Sequence, residues 1–226
     1  KGGISTVIVE NNYDLPHRIQ VGPETVSAMT FLGQKLVERF PEMEFGISVL
    51  WNDYRAALAI AKTIGGTFVR VPVFVDDVET AYGLIRANAR DVIAYRKSIG
   101  ASEVKIYADV QVKHARLIER GKDMLVSARE SVEAGADALV FTGMWTGDPP
   151  SISMLERVHR FFPRACRVAG SGVSAENIPL IRPFVNEVIV STSLKEDSPL
   201  KHTRNVKPYA CKIDSKKVKR LMAAIA

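Results

Sequence analysis

The chain has 226 residues, of which 46% are apolar, a size and composition typical of a soluble globular protein with a full core. Its apolar runs stay well below the roughly 18 residues of a membrane-spanning helix, which excludes a transmembrane segment. The net charge of +6 lies in residues 195–226, which hold nine Lys and Arg against three Asp and Glu. Tyr209 is the only aromatic residue there and no nucleic-acid motif matches, so we expect a solvated face and no nucleic-acid partner.

The N-terminal residues and the two cysteines favour a cytoplasmic location. The apolar part of KGGISTVIVE (1–10) is too short for a secretory signal peptide and closes on an acid. Cys166 and Cys211 lack CxxC spacing and a neighbouring His cluster, which favours space filling over zinc binding or a disulfide.

Short β-rich runs recur along the chain, and most are apolar throughout rather than alternating. Continuous apolar strands are typical of a parallel sheet that is covered on both faces. The predicted strands are ISTVIVE (4–10), FGISVLW (45–51), FVRVPVF (68–74), VKIYADV (104–110), ALVFTG (138–143), RVAGSG (167–172) and EVIVSTSL (187–194).

Between these strands, apolar residues recur at helical spacing. The predicted stripes are Val26, Met29, Leu36 and Phe40; Ile85, Ala89, Val92 and Ile99; Leu125, Ala128 and Val132; Leu155, Val158 and Phe162; and Val218, Leu221, Met222 and Ile225. Four glycines each lie between a helical segment and the next strand, where a helix C-cap favours positive φ. They are Gly3, Gly65, Gly100 and Gly135.

One βα unit per roughly 30 to 35 residues is typical of a parallel α/β fold, and eight such units form a (β/α)₈ TIM barrel. Seven strands are visible, and KGGIST resembles a helix end entering a strand. We therefore expect a single barrel domain over residues 1–226 that lacks its first strand and helix, with a basic loop and last helix over 195–226. A doubly wound sheet is the rival fold. Polar residues at the ends of many strands favour the barrel, because an open sheet gathers its site at one switch point.

Carboxylates and amides end the first predicted strands. Glu10 follows an apolar strand and caps no evident helix, so it is a candidate acid/base, with Asn11 beside it as a ligand contact. Asn52 is a second candidate contact, and Asp53 is either a catalytic carboxylate or the N-cap of the helix YRAALAIAKTIG. Arg70 interrupts FVRVPVF, so it either pairs with Glu10 inside the barrel or contacts a ligand.

The segment ADVQVKHA (108–115) closes another strand. Strand periodicity places Asp109, Gln111 and Lys113 on one face, with His114 beyond them as a candidate substrate contact. Asp109 is a candidate base, metal ligand or partner that orients Lys113, which itself could bind an anion or form a Schiff base. The alternative is an Asp–Lys ion pair at a rim. We identify no cofactor, and a divalent metal stays open.

The segment TGMWTGDPPS (142–151) has two glycines, an aromatic side chain and two prolines, a composition typical of a mobile flap. Thr142 ends the preceding strand, and Trp145 could cover a ligand or pack against a neighbouring loop or subunit. The acidic segment VDDVETAYG (75–83) is predicted to be a loop, with Asp76 and Asp77 in a solvated turn rather than at a metal site.

The last two predicted strands end in small and hydroxyl-bearing residues. In many barrels the two corresponding adjacent loops hold a phosphate, through backbone N–H groups and hydroxyls. The candidate phosphate-binding residues are Gly170, Ser171 and Gly172 after one strand and Ser191, Thr192 and Ser193 after the next, with Lys195 as a nearby counter-charge. The alternative is a plain βα turn and a Ser-rich strand end.

The ordered set of these segments resembles the BtpA/SgcQ family over essentially the whole chain. The segments are VIVENN, RIQVGPETVSAM, GISVLWNDYRAALAIA, FVRV, YADVQVKHA, ALVFTG with TGDPP, GSGVSAENI and STSLKED. The resemblance implies a ribulose-phosphate-binding type of barrel that normally starts with a strand and a Pro-rich loop. It also implies two descriptions: a factor that photosystem I needs to accumulate in cyanobacteria, and an enzyme of sugar or nucleotide metabolism.

The chain departs from the family pattern at five positions near the predicted mouth of the barrel. They are Ser48, Trp51, Gln111, Met144 and Trp145. We therefore expect a ligand that differs from that of other members.

Two functions remain open. The first is an enzyme, an isomerase, lyase or hydrolase, that binds a small phosphorylated molecule and uses Glu10 and Asp109 as acid/base groups. The second is a non-enzymatic assembly or stabilisation factor that acts through the basic segment 195–226. A homo-oligomer is compatible with both.

Overall fold

The computed structural model describes residues 2–196 and 212–225, so Tyr209, Cys211 and half of the basic segment 195–226 lie outside the described residues. The strands are β1 (Thr6–Glu10), β2 (Glu44–Ser48), β3 (Phe68–Val71), β4 (Val78–Thr80), β5 (Gly83–Ile85), β6 (Lys105–Asp109), β7 (Ala115–Leu117), β8 (Ala138–Phe141), β9 (Cys166–Ala169) and β10 (Glu187–Val188). The helices are α1 (Pro23–Arg39), α2 (Tyr54–Ile64), α3 (Ala89–Ser98), α4 (Met124–Glu133), α5 (Ile152–Phe161), α6 (Ile178–Ile181) and α7 (Ser215–Ile225). Short 3₁₀ turns cover Arg182–Phe184 and Thr192–Leu194.

Seven strands form one parallel sheet in the order β1-β2-β3-β6-β8-β9-β10. The order follows the chain without a reversal, and a helix connects each strand to the next in the sheet. A doubly wound sheet would reverse its order at a switch point. The topology therefore confirms the predicted α/β barrel and excludes the rival fold.

The inner face of the sheet holds one apolar cluster. Phe68, Tyr107, Val140 and Val168 are buried there, and Ile8 and Ile189, from the two ends of the sheet, pack against them. Both ends of the sheet thus contribute to one interior. The Phe68 and Tyr107 rings stack with centroids 4.4 Å apart.

Gly46 makes room for this stack. A methyl group added at Gly46 would lie 2.2 Å from the Phe68 ring. The outer face of the sheet packs against the helices, with Ile47 and Val69 clustered with Leu58 of α2, and Leu139 with Leu155 of α5 and Leu221 of α7.

A second, three-stranded antiparallel sheet in the order β5-β4-β7 corrects the predicted loop at 75–83. Ile85 belongs to β5 and not to a helix, because Asn88 caps α3 just after it, with its Oδ1 accepting from the Asp91 N–H. The spacing of Ile85, Ala89 and Val92 matches a helical period, which produced the wrong prediction. The acidic residues and the glycine of the segment 75–83 are typical of loops, so the hairpin of β4 and β5 was not predicted.

The remaining elements follow the predictions closely. The last strand is shorter than predicted, since β10 ends at Val188 and Thr192–Leu194 is a 3₁₀ turn. The four glycines predicted at helix ends all have positive φ, between +64° and +93°. Residues 2–3 adjoin α7, because a methyl group at Gly2 would lie 2.6 Å from Val218.

Candidate active site

Polar residues converge at the mouth of the barrel because of strand periodicity. Successive side chains of a strand alternate between faces, so the residue two positions after an interior apolar residue points to the same interior, one layer nearer the carboxyl end. Ile8 is followed in this way by Glu10, Phe68 by Arg70, Tyr107 by Asp109, Val140 by Thr142 and Val168 by Gly170.

Arg70, at the mouth, contacts two carboxylates. Its Nε and Nη2 donate to the two oxygens of Asp109 at 2.8 and 2.7 Å, and its Nη1 lies 4.0 Å from Glu10. Burial by itself would lower the pKa of Arg70, but the charge and hydrogen bonds of Asp109 and the charge of Glu10 raise it above its ordinary value. The predicted pairing of Arg70 with Glu10 is present, and the stronger partner is Asp109.

The two carboxylates differ in access. The Asp109 side chain is fully buried, whereas the Glu10 side chain is 28% exposed. Asp109 is therefore committed to Arg70, and Glu10 is the carboxylate that a ligand in the mouth can reach.

Lys113 reaches from the loop after β6 to the turn after β9. Its Nζ donates to Ser171 Oγ at 3.3 Å. Burial lowers the pKa of Lys113, and the nearby charge of Arg70 lowers it further, against the charges of Asp109 and Glu10. The alternative of an ion pair between Asp109 and Lys113 is not what the structure shows, because Asp109 pairs with Arg70 and Lys113 donates to Ser171.

The turns after β9 and β10 lie side by side. The Ser193 hydroxyl donates to the Val173 carbonyl oxygen at 2.7 Å, which joins the Thr192–Leu194 turn to the segment after Gly170, Ser171 and Gly172. Among the described residues, none accepts a hydrogen bond from the backbone N–H groups of Gly172, Thr192 or Ser193. Ser191 precedes this turn and is exposed.

The flap, residues 142–151, packs directly on the first of these turns. A methyl group at Gly172 would lie 2.3 Å from the carbonyl carbon of Asp148, and the φ of Gly172 is +59°. Ser171 Oγ lies 3.5 Å from the Trp145 carbonyl oxygen. His114 also contacts the flap, with its Nε2 2.8 Å from Thr146 Oγ1.

Three predicted site residues brace the backbone around the mouth. Asn11 accepts from the Leu50 N–H at 2.7 Å and donates to the Leu50 carbonyl, and Asn52 does the same with Val73. Asp53 caps α2 by accepting from the Ala56 N–H at 3.0 Å, and its other oxygen accepts from the Val21 N–H at 2.9 Å. These contacts show a structural role, and any contact of the three with a ligand stays a prediction.

Two buried hydroxyls at the mouth have no hydrogen-bond partner within the described residues. They are Thr142 Oγ1, predicted as a substrate contact, and Ser48 Oγ, predicted to lie near the mouth as a departure from the family pattern. Ser48 is paired in register with Glu10 and with Arg70 on the neighbouring strands. No chemical role was predicted for Ser48, although its position two residues after Gly46, at the end of an apolar strand, indicates an inward-facing polar side chain.

A further buried charge cluster corrects the prediction of a solvated turn at Asp76. Asp76 is 8% exposed, accepts from Ser127 Oγ at 3.1 Å and pairs with Lys122 at 2.8 Å. Gln111, predicted beside Asp109, instead donates to the Lys122 carbonyl and to Ser127. β6 ends at Asp109, and the positive φ of 54° at Gln111 breaks the strand alternation on which the prediction depended.

Two absences concern the described parts of the chain, 2–196 and 212–225. They bring together no group of three or more His, Cys, Asp or Glu side chains that could hold a metal ion. None of their helices combines the length and the apolar character needed to cross a membrane.

The model of the BtpA family matches residues 1–226. This chain belongs to the BtpA family. It is 38% identical over 196 residues to the Photosystem I biogenesis protein BtpA of Synechocystis sp., which covers 86% of this chain and 67% of that protein. It is also 30% identical over 199 residues to SgcQ, a protein of the sgc region of Escherichia coli, which covers 87% of this chain and 72% of that protein. The resemblance predicted from the sequence is confirmed.

Solved structures show the same fold for this BtpA-family chain. N-(5'-phosphoribosyl)anthranilate isomerase from Pyrococcus furiosus has a TM-score of 0.58 at 12% identity, covering 98% of this chain and 88% of that chain. KGPDC from Streptococcus mutans, in complex with ribose-5-phosphate, has a TM-score of 0.57 at 13% identity, covering 98% and 85%. At this identity the likeness concerns the barrel fold alone.

Proposed function

We propose that this BtpA-family barrel is an enzyme that binds a small phosphorylated molecule at its mouth, with the phosphate between the turn at Gly170–Gly172 and the turn at Thr192–Leu194. The observation that carries the proposal is the hydrogen bond of 2.7 Å from Ser193 to the Val173 carbonyl, which holds both turns at one point. The N–H groups of Gly172, Thr192 and Ser193, which have no acceptor within 2–196 and 212–225, and the Lys113 ammonium then lie near the same anion. The fold neighbour with bound ribose-5-phosphate supports the choice of ligand.

The phosphate site uses backbone N–H groups and one cation. The Ser193 hydroxyl already donates to the Val173 carbonyl oxygen, so Ser193 contacts the phosphate through its backbone N–H. Gly172 and Thr192 also contribute their backbone N–H groups to the phosphate site. Ser171 offers a hydroxyl that already contacts Lys113. Charge-assisted hydrogen bonds of this kind are about twice as strong as neutral ones, which suits a doubly charged phosphate.

Glu10 is the acid/base group of the proposal. It is partly exposed, lies on the inner face and has one contact to Arg70 at 4.0 Å. Asp109 positions Arg70 and does not itself transfer a proton, because both its oxygens are occupied. The chemistry is a proton transfer at a ligand atom above Glu10, the step that isomerases, lyases and hydrolases of phosphorylated compounds share.

Calorimetric titration with inorganic phosphate tests the anion site. We expect Lys113→Met to weaken phosphate binding about tenfold or more, because a hydrogen bond to a charged group contributes about 1.5 to 3 kcal/mol. Ser171→Ala is expected to weaken it by a smaller factor. The matched controls are Lys35→Met and Ser98→Ala, which lie on exposed helix surfaces. Equal phosphate affinity in all four variants and the unchanged chain would overturn the proposed site.

The relative named for photosystem I biogenesis favours a second candidate function, a non-enzymatic assembly factor with an acidic partner. The basic residues of α7 offer such a surface, since Lys216, Lys219 and Arg220 are exposed. Replacing these three by Glu would remove the function of an assembly factor and leave phosphate binding intact. Lys113→Met would do the opposite.

A further inference from the structure

A cleft of about 350 Å³ lies between the flap and the small antiparallel sheet. The flap contributes Met144 and Trp145, β4 contributes Glu79 and Thr80, and the segment entering β7 contributes His114 and Arg116. The phosphate site described above does not include this cleft.

Two partly exposed apolar side chains of the flap and the His114 ring line one part of the cleft. Trp145 is 47% exposed and Met144 is 76% exposed, next to each other in the chain. The His114 ring lies 5.4 Å from the Trp145 ring at an angle of 52°. Apolar side chains that are exposed side by side in a concave surface are typical of a ligand-binding site.

The cleft adjoins the proposed phosphate site through two residue pairs. Trp145 lines the cleft with its side chain, while its carbonyl oxygen lies 3.5 Å from Ser171 Oγ. His114 lines the cleft directly after Lys113, whose Nζ contacts the same Ser171 hydroxyl. One ligand can therefore have its phosphate beside Ser171 and its organic part in the cleft.

We infer that the ligand is a phosphate monoester that carries a planar ring, and that the cleft binds this ring. Indole and imidazole rings stack on planar groups, and a methionine side chain contacts their edges. The polar rim of Glu79 and Arg116, which pair with each other, fits a ring with polar substituents. This inference rests on the proposed function, because the phosphate sets where the ring lies.

The test compares two phosphate monoesters, phenyl phosphate and methyl phosphate, by calorimetric titration. The chains are the unchanged protein, Trp145→Ala, Trp145→Phe and the control Phe31→Ala, which removes an exposed aromatic ring from α1. We expect phenyl phosphate to bind about tenfold tighter than methyl phosphate in the unchanged protein. Trp145→Ala should bring this ratio close to one, Trp145→Phe should restore most of it, and Phe31→Ala should leave it unchanged.

The possible failures are distinguishable. Equal affinity for both monoesters, or a ratio that survives Trp145→Ala, overturns the ring site and leaves the phosphate site standing. If neither monoester nor inorganic phosphate binds to the unchanged protein, the proposed function fails and the ring site fails with it.

Discussion

Burial decides which single residues of the mouth are available for chemistry. Asp109 and Arg70 neutralise each other inside the barrel, with a two-pronged hydrogen bond that leaves neither free. Glu10 shares the same arginine at a longer distance and keeps access to solvent. Lys113 is a half-buried cation with the Ser171 hydroxyl as its partner. Asp109 and Arg70 therefore form a structural ion pair, whereas Glu10 and Lys113 are the groups that a ligand can contact.

Removing one partner of the buried pair should destabilise the protein strongly. We expect Asp109→Asn to lower the free energy of unfolding by about 3 kcal/mol, because Arg70 then stays buried without a full counter-charge. Urea denaturation measures this. The control Glu156→Gln breaks an exposed pair with Arg160 and should leave stability within error. A double replacement, Arg70→Met with Asp109→Leu, should recover most of the loss; if it does not, the charge argument is wrong.

We expect the charged Lys113 to lower the stability of the folded protein, although it strengthens phosphate binding in the proposed function. The folded state lowers the pKa of Lys113, so the unfolded chain holds this proton more tightly and folding is disfavoured while the group is charged. Lys113→Met should therefore raise Tm at neutral pH. The advantage should shrink as pH rises from the folded pKa towards the ordinary value of 10.5. Thermal unfolding followed by circular dichroism at several pH values measures the difference in Tm between Lys113→Met and the unchanged protein. A lower Tm for Lys113→Met at pH 7 would contradict the prediction.

At the scale of elements, side chains at the strand ends hold the loops of the mouth by bonding to backbone. Asn11 and Asn52 each exchange two hydrogen bonds with the backbone after a neighbouring strand, and Asp53 joins α2 to the loop after β1. The flap is held by packing on Gly172 and by His114. The loops of the rim are thus connected to one another by side-chain hydrogen bonds and packing.

Asp53 should be worth more than an ordinary helix cap. We expect Asp53→Ala to lower the free energy of unfolding by about 2 kcal/mol, because it removes the cap of α2 and leaves the Val21 N–H without its acceptor. Ser151→Ala at the exposed N-cap of α5 is the comparison and should cost about 1 kcal/mol. Equal losses in urea denaturation would show that the bond to Val21 contributes nothing.

At the scale of the whole molecule, the basic C-terminal region is partly built into the barrel. Residues 212–214 pair with residues 194–196 through two backbone hydrogen bonds. The Glu196 N–H donates to the Lys212 carbonyl oxygen, and the Asp214 N–H donates to the Leu194 carbonyl oxygen. Val218 and Leu221 of α7 are buried in the same cluster as the interior face of α5. A deletion of residues 195–226 would therefore damage the fold, so charge replacements on the exposed face of α7 are the sharper test of an assembly role.

The burial of α7 predicts a contrast within one helix. Leu221→Ala should lower the free energy of unfolding by about 3 kcal/mol, since it removes a buried leucine from the cluster that contains Leu155 and Val158. Lys219→Ala, on the exposed face of the same helix, should leave stability unchanged within error. If the two variants unfold at the same urea concentration, α7 does not contribute to the core.

The sequence by itself determined the barrel, its seven parallel strands and most of its helices, because apolar periodicity and helix-ending glycines are local signals. It also determined which polar residues follow each strand. Only the tertiary structure decided their partners: Asp109 takes Arg70 rather than Lys113, Gln111 turns to Lys122, and Asp76 is buried. The physical reason is that ion pairs and burial depend on distances between segments far apart in the chain, which curvature of the sheet and packing of the loops set.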